Sequence, residues 1–156
     1  MTGVAPARVA RVVRLVVFGA TLAAIVYLSS RYGVTDVPAD NLDPDLLVGE
    51  RILLDEWGAS ADRLERGQFV LYDAVEGGAR VSLVGVVACE PGAEYPPDDE
   101  RDYPPVPDLP EDGRVPGTHA IILNGAHSRS KRPDSRSFGP VDVRAIRGRI
   151  LGRLPF

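Results

Sequence analysis

Residues Leu15–Leu28 read LVVFGATLAAIVYL, 14 positions without a charge. Adding Val12 and Val13 gives 17 positions, broken only by Arg14. That is the short end of the roughly 17–25 residues a helix needs to cross a bilayer. The long stem of Arg14 lets its guanidinium reach the interface. Tyr27 sits where an interfacial aromatic belongs. No polar face recurs at helical spacing, so the run does not read as an amphipathic core helix. A cleaved signal peptide needs a small-x-small site after its apolar region. Tyr27-Leu28-Ser29-Ser30-Arg31 offers no clear one. Arg8, Arg11 and Arg14 precede the run, and Arg31 alone follows closely. The positive-inside rule then predicts a cytoplasmic tail over 1–11, a transmembrane helix over 12–30 and an extracytoplasmic domain over 31–156. The lipid bilayer is thus the first expected partner.

Charge is segregated along the chain. Residues 1–33 carry four arginines and no acid, residues 34–126 carry 6 basic and 20 acidic residues, and residues 127–156 carry 8 basic and 2 acidic. The acidic middle would repel phosphate, which argues against nucleic acid as a partner. The basic C-terminal stretch is suited to an anion or, as we favour, to pairing with the acidic middle. One of the 18 basic residues is lysine, Lys131. A lysine base or Schiff base therefore has a single candidate. The lone cysteine, Cys89, excludes an internal disulfide and a multi-cysteine metal site. His119 and His127 leave little for zinc, which usually draws three or four ligands. No metal site and no cofactor are expected.

Past residue 34 no long amphipathic helix is apparent. Short runs rich in strand formers occupy 50–57 (ERILLDEW), 68–73 (QFVLYD), 80–88 (RVSLVGVVA), 119–124 (HAIILN) and 141–150 (VDVRAIRGRI). Gly58, Gly67, Gly77-Gly78, Pro91-Gly92, Pro116-Gly117 and Gly139-Pro140 punctuate them. Short strands with Gly/Pro punctuation predict an all-β barrel or coiled sheet. Residues 91–117 hold eight prolines, eight acids and two arginines. Such a composition predicts an exposed acidic loop with polyproline character.

Three stretches, in order, resemble the type I signal peptidases, the Ser–Lys leader peptidase family, including its conjugation-associated members. Asp134-Ser135-Arg136-Ser137-Phe138-Gly139-Pro140-Val141 is similar to the family's D-S-R-x-[WF]-G-x-V box. It is preceded by Val115–Leu123, which looks like the strand entering that box. It is followed by Ile146-Arg147-Gly148-Arg149, which resembles the closing I-x-G-[KR] strand. The stretch Asn41–Leu53 resembles the nucleophile box S-M-x-P-T-L-x-x-G-D-x-[IV] through Pro44, Leu46 and Gly49, with Glu50 for the acid. Arg66-Gly67-Gln68-Phe69-Val70 resembles the R-G-D-[IV]-V turn that follows. Val87-Ala88-Cys89-Glu90-Pro91-Gly92 resembles the end of the K-R-V-x-G-x-P-G-D box. The resemblance implies a signal-peptidase-like coiled β domain behind one anchor.

The chemistry that the resemblance implies is missing. In that family a serine attacks the scissile carbonyl, and a lysine kept neutral by an apolar pocket takes its proton. The nucleophile position falls on Asn41, the base position on Gly85 and the orienting-serine position on Arg132. Lys131 stands in a charged run before Asp134, not in an apolar strand. His127 reads as a loop residue, His119 as a strand residue and Cys89 as a buried structural thiol. The framework residues Gly49, Asp134, Ser135, Arg136 and Gly139 remain, with Asp134 and Arg136 expected to form an ion pair. Val37, Asn41, Leu42, Pro44, Val84 and Val86 would line a peptide-binding edge by strand addition. The expectation is a membrane-anchored pseudopeptidase that binds exported polypeptide or supports an active peptidase partner. The alternatives are an active signal peptidase with a non-standard site, and a structural component of an envelope secretion or pilus assembly. Converting Asn41 to Ser and Gly85 to Lys is expected not to restore cleavage, with Arg132 intruding near the base.

Overall fold

The apolar run forms one long helix because nothing in it breaks the ladder and its hydroxyls bond inward. Thr21 Oγ1 donates to the Val17 carbonyl (2.9 Å) and Ser30 Oγ to that of Tyr27 (2.9 Å). In the computed structural model, which describes residues 6–39, 42, 45–96, 105–124 and 132–155, this helix is α1 (Pro6–Arg31). Its Val9–Arg31 stretch, 23 residues of mean hydropathy 2.1, is long and apolar enough to cross a membrane, and none of it is buried. The chain divides into two compact units at Tyr32/Gly33.

The second unit is a single antiparallel sheet. Its strands are β1 (Tyr32–Asp36), β2 (Arg51–Asp55), β3 (Phe69–Glu76), β4 (Ala79–Cys89), β5 (His119–Leu123), β6 (Val141–Asp142) and β7 (Ile146–Arg153), in the spatial order β1-β2-β7-β3-β4-β5-β6. A short helix, α2 (Ser135–Phe138), precedes β6. The runs at 68–73, 80–88 and 119–124 became β3, β4 and β5 with shifted ends. The run at 50–57 bends into a 3-10 turn over Glu56–Ala59. The run at 141–150 is broken by a second such turn, Val143–Ala145, where Asp142 accepts from the Arg144 N–H (2.8 Å). β1 (YGVTD) was not anticipated, having too few apolar residues to stand out from the helix before it.

Both faces of the central strands are buried, as the period-2 alternation of side chains requires. Val70, Tyr72, Leu83, Val87 and Ile122 pack on one face with Ala39, Ala59 and Leu64. Leu71 and Val84 turn to the other face, where Val37, Leu42, Leu46, Ile52 and Leu54 cover them. A strand buried on both faces reads as a near-continuous apolar run, which is what RVSLVGVVA is.

Most described residues of the Pro-rich segment are exposed, but the segment is also tied to the sheet. Gly92 and Tyr95 donate to the carbonyls of Val115 and Gly113, and Val115 donates to that of Ala93, all at 2.9 Å. This ladder seats Tyr95 and Val115, with Ala93, Val106 and Leu109, on Ala88, Cys89 and Ile121. Averaged composition hid five apolar side chains, each at a position that meets the sheet. The segment also presses on Gly139, where an added Cβ would lie 3.0 Å from the Pro107 carbonyl oxygen.

Candidate functional site

Gly85 lies midway along β4, opposite Val70 of β3. Its missing side chain faces the same core as Leu83 and Val87. A Cβ built there would lie 2.5 Å from Ile122 Cγ2, and 3.2 Å from both the Leu123 carbonyl oxygen and Tyr72 Cε1. The position implied for a catalytic base is therefore filled by its neighbours. Glycine here permits close packing of β5 on β4.

Ile122 links Gly85 to the Asp-Ser-Arg box. Its N–H donates to Ser135 Oγ (2.9 Å), and the Asn124 N–H donates to Asp134 Oδ2 (2.9 Å). Both acceptors are buried, Asp134 at 1% exposure and Ser135 at 0%. Asp134 also caps α2 through the Arg136 N–H (3.0 Å) and accepts from Arg136 Nε (2.8 Å) and Nη2. The expected Asp134–Arg136 pair is present, with the acid buried and the guanidinium 45% exposed. The bond to Asp134 raises the Arg136 pKa further. Gly139 ends α2 at φ +83°, a conformation that favours glycine.

Arg132 does not intrude near Gly85. Its Nη1 donates to Glu76 Oε2 (2.9 Å) at the far end of β3, six positions beyond Val70. Its carbonyl accepts from Asn124 Nδ2 (2.8 Å). The charge at that position is drawn away by a surface partner.

The residues read as a binding edge divide into two kinds. Val37, Leu42 and Val84 are enclosed, at 0–1% exposure. The Val37 N–H donates to the Glu50 carbonyl (2.8 Å), and its own carbonyl accepts from the Gly49 N–H (3.0 Å). Those backbone groups are already used by the turn that Gly49 closes at φ +83°. β3 pairs with Ala79–Val86 of β4, and β5 with Val86, Val87 and Cys89, so Val86 has a strand on either side of it. Val86, by contrast, is half-buried. It stands in register between Phe69 of β3 and Leu123 of β5, both also half-buried. These three form an apolar row across the sheet. Phe69 and Val86 pack with Leu42 and Leu46, and Leu123 packs with Tyr95 and Val115 of the Pro-rich segment. Asn41, Pro44, His127 and Lys131 lie outside the described residues.

Other candidate groups are occupied or shielded. Cys89 is buried, its Sγ donates to the Glu94 carbonyl (3.3 Å), and burial together with Glu90 pushes the thiol up to about 11. His119 begins β5, and its Nδ1 contacts Thr118 Oγ1 (3.0 Å). Tyr72 is 0% exposed, and its hydroxyl has no partner among the described residues. Burial, and then the charge of Asp134, raise its pKa. Among the described residues no three His, Cys, Asp or Glu side chains gather as a metal site.

Sequence reasoning missed Phe69 and Leu123 as partners of Val86. It also missed a second buried acid, Asp55, whose carboxylate meets Arg149 across β2 and β7 at 3.4 Å. An acid ending the run RILLD and an arginine in RGRI were its only signals. No protein-family model matches the chain, and no characterised protein matches it in sequence.

Proposed function

We propose that this chain is a membrane-anchored, signal-peptidase-like β domain that has kept a polypeptide-binding surface and lost hydrolysis. The observation that carries the reading is the contrast between neighbours on β4: residue 85 is closed by Ile122, and residue 86 is half-open in an apolar row. A base cannot be housed at the first. An apolar segment of a chain can rest on the second. The shielded Cys89 thiol and the enclosed Ser135 hydroxyl support the same conclusion. In this reading the N-terminus is cytoplasmic and the β domain lies outside, bound to an exported or membrane-proximal polypeptide.

Two measurements test it. The full chain in detergent or vesicles should leave a preprotein uncut, even at high protein concentration. Turnover that disappears on changing Ser135, Cys89 or Lys131 would overturn the non-hydrolytic reading. A photoreactive amino acid at Val86 or Phe69 should label apolar peptides. No adducts there, with the fold intact, would favour a purely structural role in an envelope assembly.

A further inference from the structure

β3 has an open edge. It pairs with β7 at Val70, Leu71 and Tyr72, and from Asp73 to Glu76 no strand lies on that side among the described residues. The backbone there is aimed outward. Gly77 and Gly78, at φ +58° and +86°, make the tight turn from β3 to β4, with Glu76 opposite Ala79. The pair flanking such a turn exchanges hydrogen bonds, and the next pair, Val75 with Arg80, does not. The N–H and C=O of Val75 therefore point away from β4, toward the open side. Val75 is exposed and lies six residues along β3 from Phe69, about 20 Å from the apolar row.

A hollow of about 310 Å³ opens beside this edge, walled by Ala74, Phe138, Val141 and Ala145. That is the small end of the range for ligand pockets, about 300–1,000 Å³, with room for one long side chain. Its charged liners are Asp73, Asp142 and Arg80. Asp142 is half-buried; one of its carboxylate oxygens accepts from the Arg144 N–H, and the other has no partner among the described residues. Asp73 Oδ1 accepts from Ser82 Oγ (2.8 Å), and its Oδ2 meets the exposed Arg80 side chain only at 4.0 Å. Arg144 and Arg147 do not line the hollow, and Arg132 is held by Glu76. Two carboxylates against one loosely held guanidinium leave the hollow apolar and net acidic.

We infer that the Asp73–Glu76 edge of β3 takes up an extended segment of a basic polypeptide as an added strand, with an arginine or lysine of that segment in the hollow. An unpaired strand edge is a template for another chain. Val75 supplies it with one donor and one acceptor. Alternate side chains of an added strand face the same way, so one enters the hollow while its neighbours face out. The aliphatic stem of an arginine or lysine suits the apolar walls, and its cation suits Asp142 and Asp73. An acidic side chain would meet like charge there, and a purely apolar one would cover the carboxylates without pairing them.

Binding is read by fluorescence anisotropy on the full chain in detergent, with a labelled short peptide of alternating threonine and arginine. That peptide should bind, and its glutamate counterpart should not. Asp142→Asn keeps an acceptor for the Arg144 N–H and removes the charge, so it should weaken binding about fivefold. Val75→Pro removes the outward N–H and leaves the β3–β4 hydrogen bonds in place, so it should weaken binding about tenfold. The same arginine peptide with an N-methylated backbone tests the edge on the unaltered chain, and should not bind; it carries the test where Val75→Pro unfolds the domain. A photoreactive amino acid at Val75 should be labelled by the arginine peptide, and one at Val86 should not. No binding of the arginine peptide, equal binding of the glutamate peptide, or binding indifferent to N-methylation or to Asp142→Asn overturns the inference. So does labelling at Val86 alone, which would put the peptide on the apolar row.

Discussion

Replacing Gly85 by alanine tests whether the base position is closed. The new methyl would sit 2.5 Å from Ile122 Cγ2, and 3.2 Å from a backbone oxygen of Leu123 that cannot swing aside. Overpacking of this kind costs about 1–3 kcal/mol. Losing a glycine from the unfolded chain returns about 0.4–1 kcal/mol. The net expectation is a loss of about 1–2 kcal/mol, or roughly 2–8 °C in Tm for a chain of this size. Ile122→Ala removes the opposing Cγ2 and by itself costs about 2–5 kcal/mol. In that background the Gly85 methyl fills vacated space. The double variant should therefore be more stable than the sum of the singles by about 1–2 kcal/mol. Circular-dichroism melts of the four chains in one detergent complete the cycle. A Gly85→Ala chain as stable as the parent, or a cycle additive within about 0.5 kcal/mol, would refute the steric argument. The same geometry explains why Gly85→Lys with Asn41→Ser should remain inactive: the lysine stem has no path past Ile122. Arg132, held by Glu76, is not the obstacle.

Further expectations follow from the buried polar groups. Tyr72→Phe should be neutral or stabilising by up to about 1 kcal/mol, because the lost hydroxyl has no partner among the described residues; a clear loss in a melt would reveal one. Burial raises the folded Cys89 pKa from 9.0 to about 11, so its contribution is complete below pH 9 and lost as pH rises toward 11. Cys89→Ala should flatten that limb of the stability–pH curve, and native Cys89 should resist iodoacetamide at pH 8 until urea is added. Ser135→Ala leaves the buried Ile122 N–H without its acceptor and should cost about 1–3 kcal/mol. Asp134→Ala strips acceptors from both Asn124 and Arg136 and should cost somewhat more, about 2–4 kcal/mol, both losses being read from urea titrations.

What could be read from the residues was set by local pattern. Leu15–Leu28 is apolar on every side, and the helix followed. RVSLVGVVA is apolar at consecutive positions, and it became the strand buried on both faces. Asp134 and Arg136 lie two residues apart, so their pairing needed no knowledge of the fold. The rest depended on distant partners. Gly85 looked like an empty position until Ile122, 37 residues on, was seen to fill it. Arg132 looked like an intruder until Glu76, 56 residues back, was seen to hold it. Asp55 and Arg149 are 94 residues apart. The anchoring of the Pro-rich segment was hidden for a different reason. Composition counts charges and prolines, but a few apolar side chains at the right positions suffice to seat a loop.

The turn at Asp134–Ser135 has a consequence for how the sheet ends. β6 pairs with His119 and Ala120 alone. Beyond them the N–H groups of Ile122 and Asn124 are met by a hydroxyl and a carboxylate, two side chains standing where the carbonyls of another strand would be. An uncovered row of such donors is a template onto which other chains add, and aggregation begins there. Here the template is already taken by residues of the same molecule. The sheet is thus sealed against growth on this side by borrowed acceptors, without the closure of a barrel.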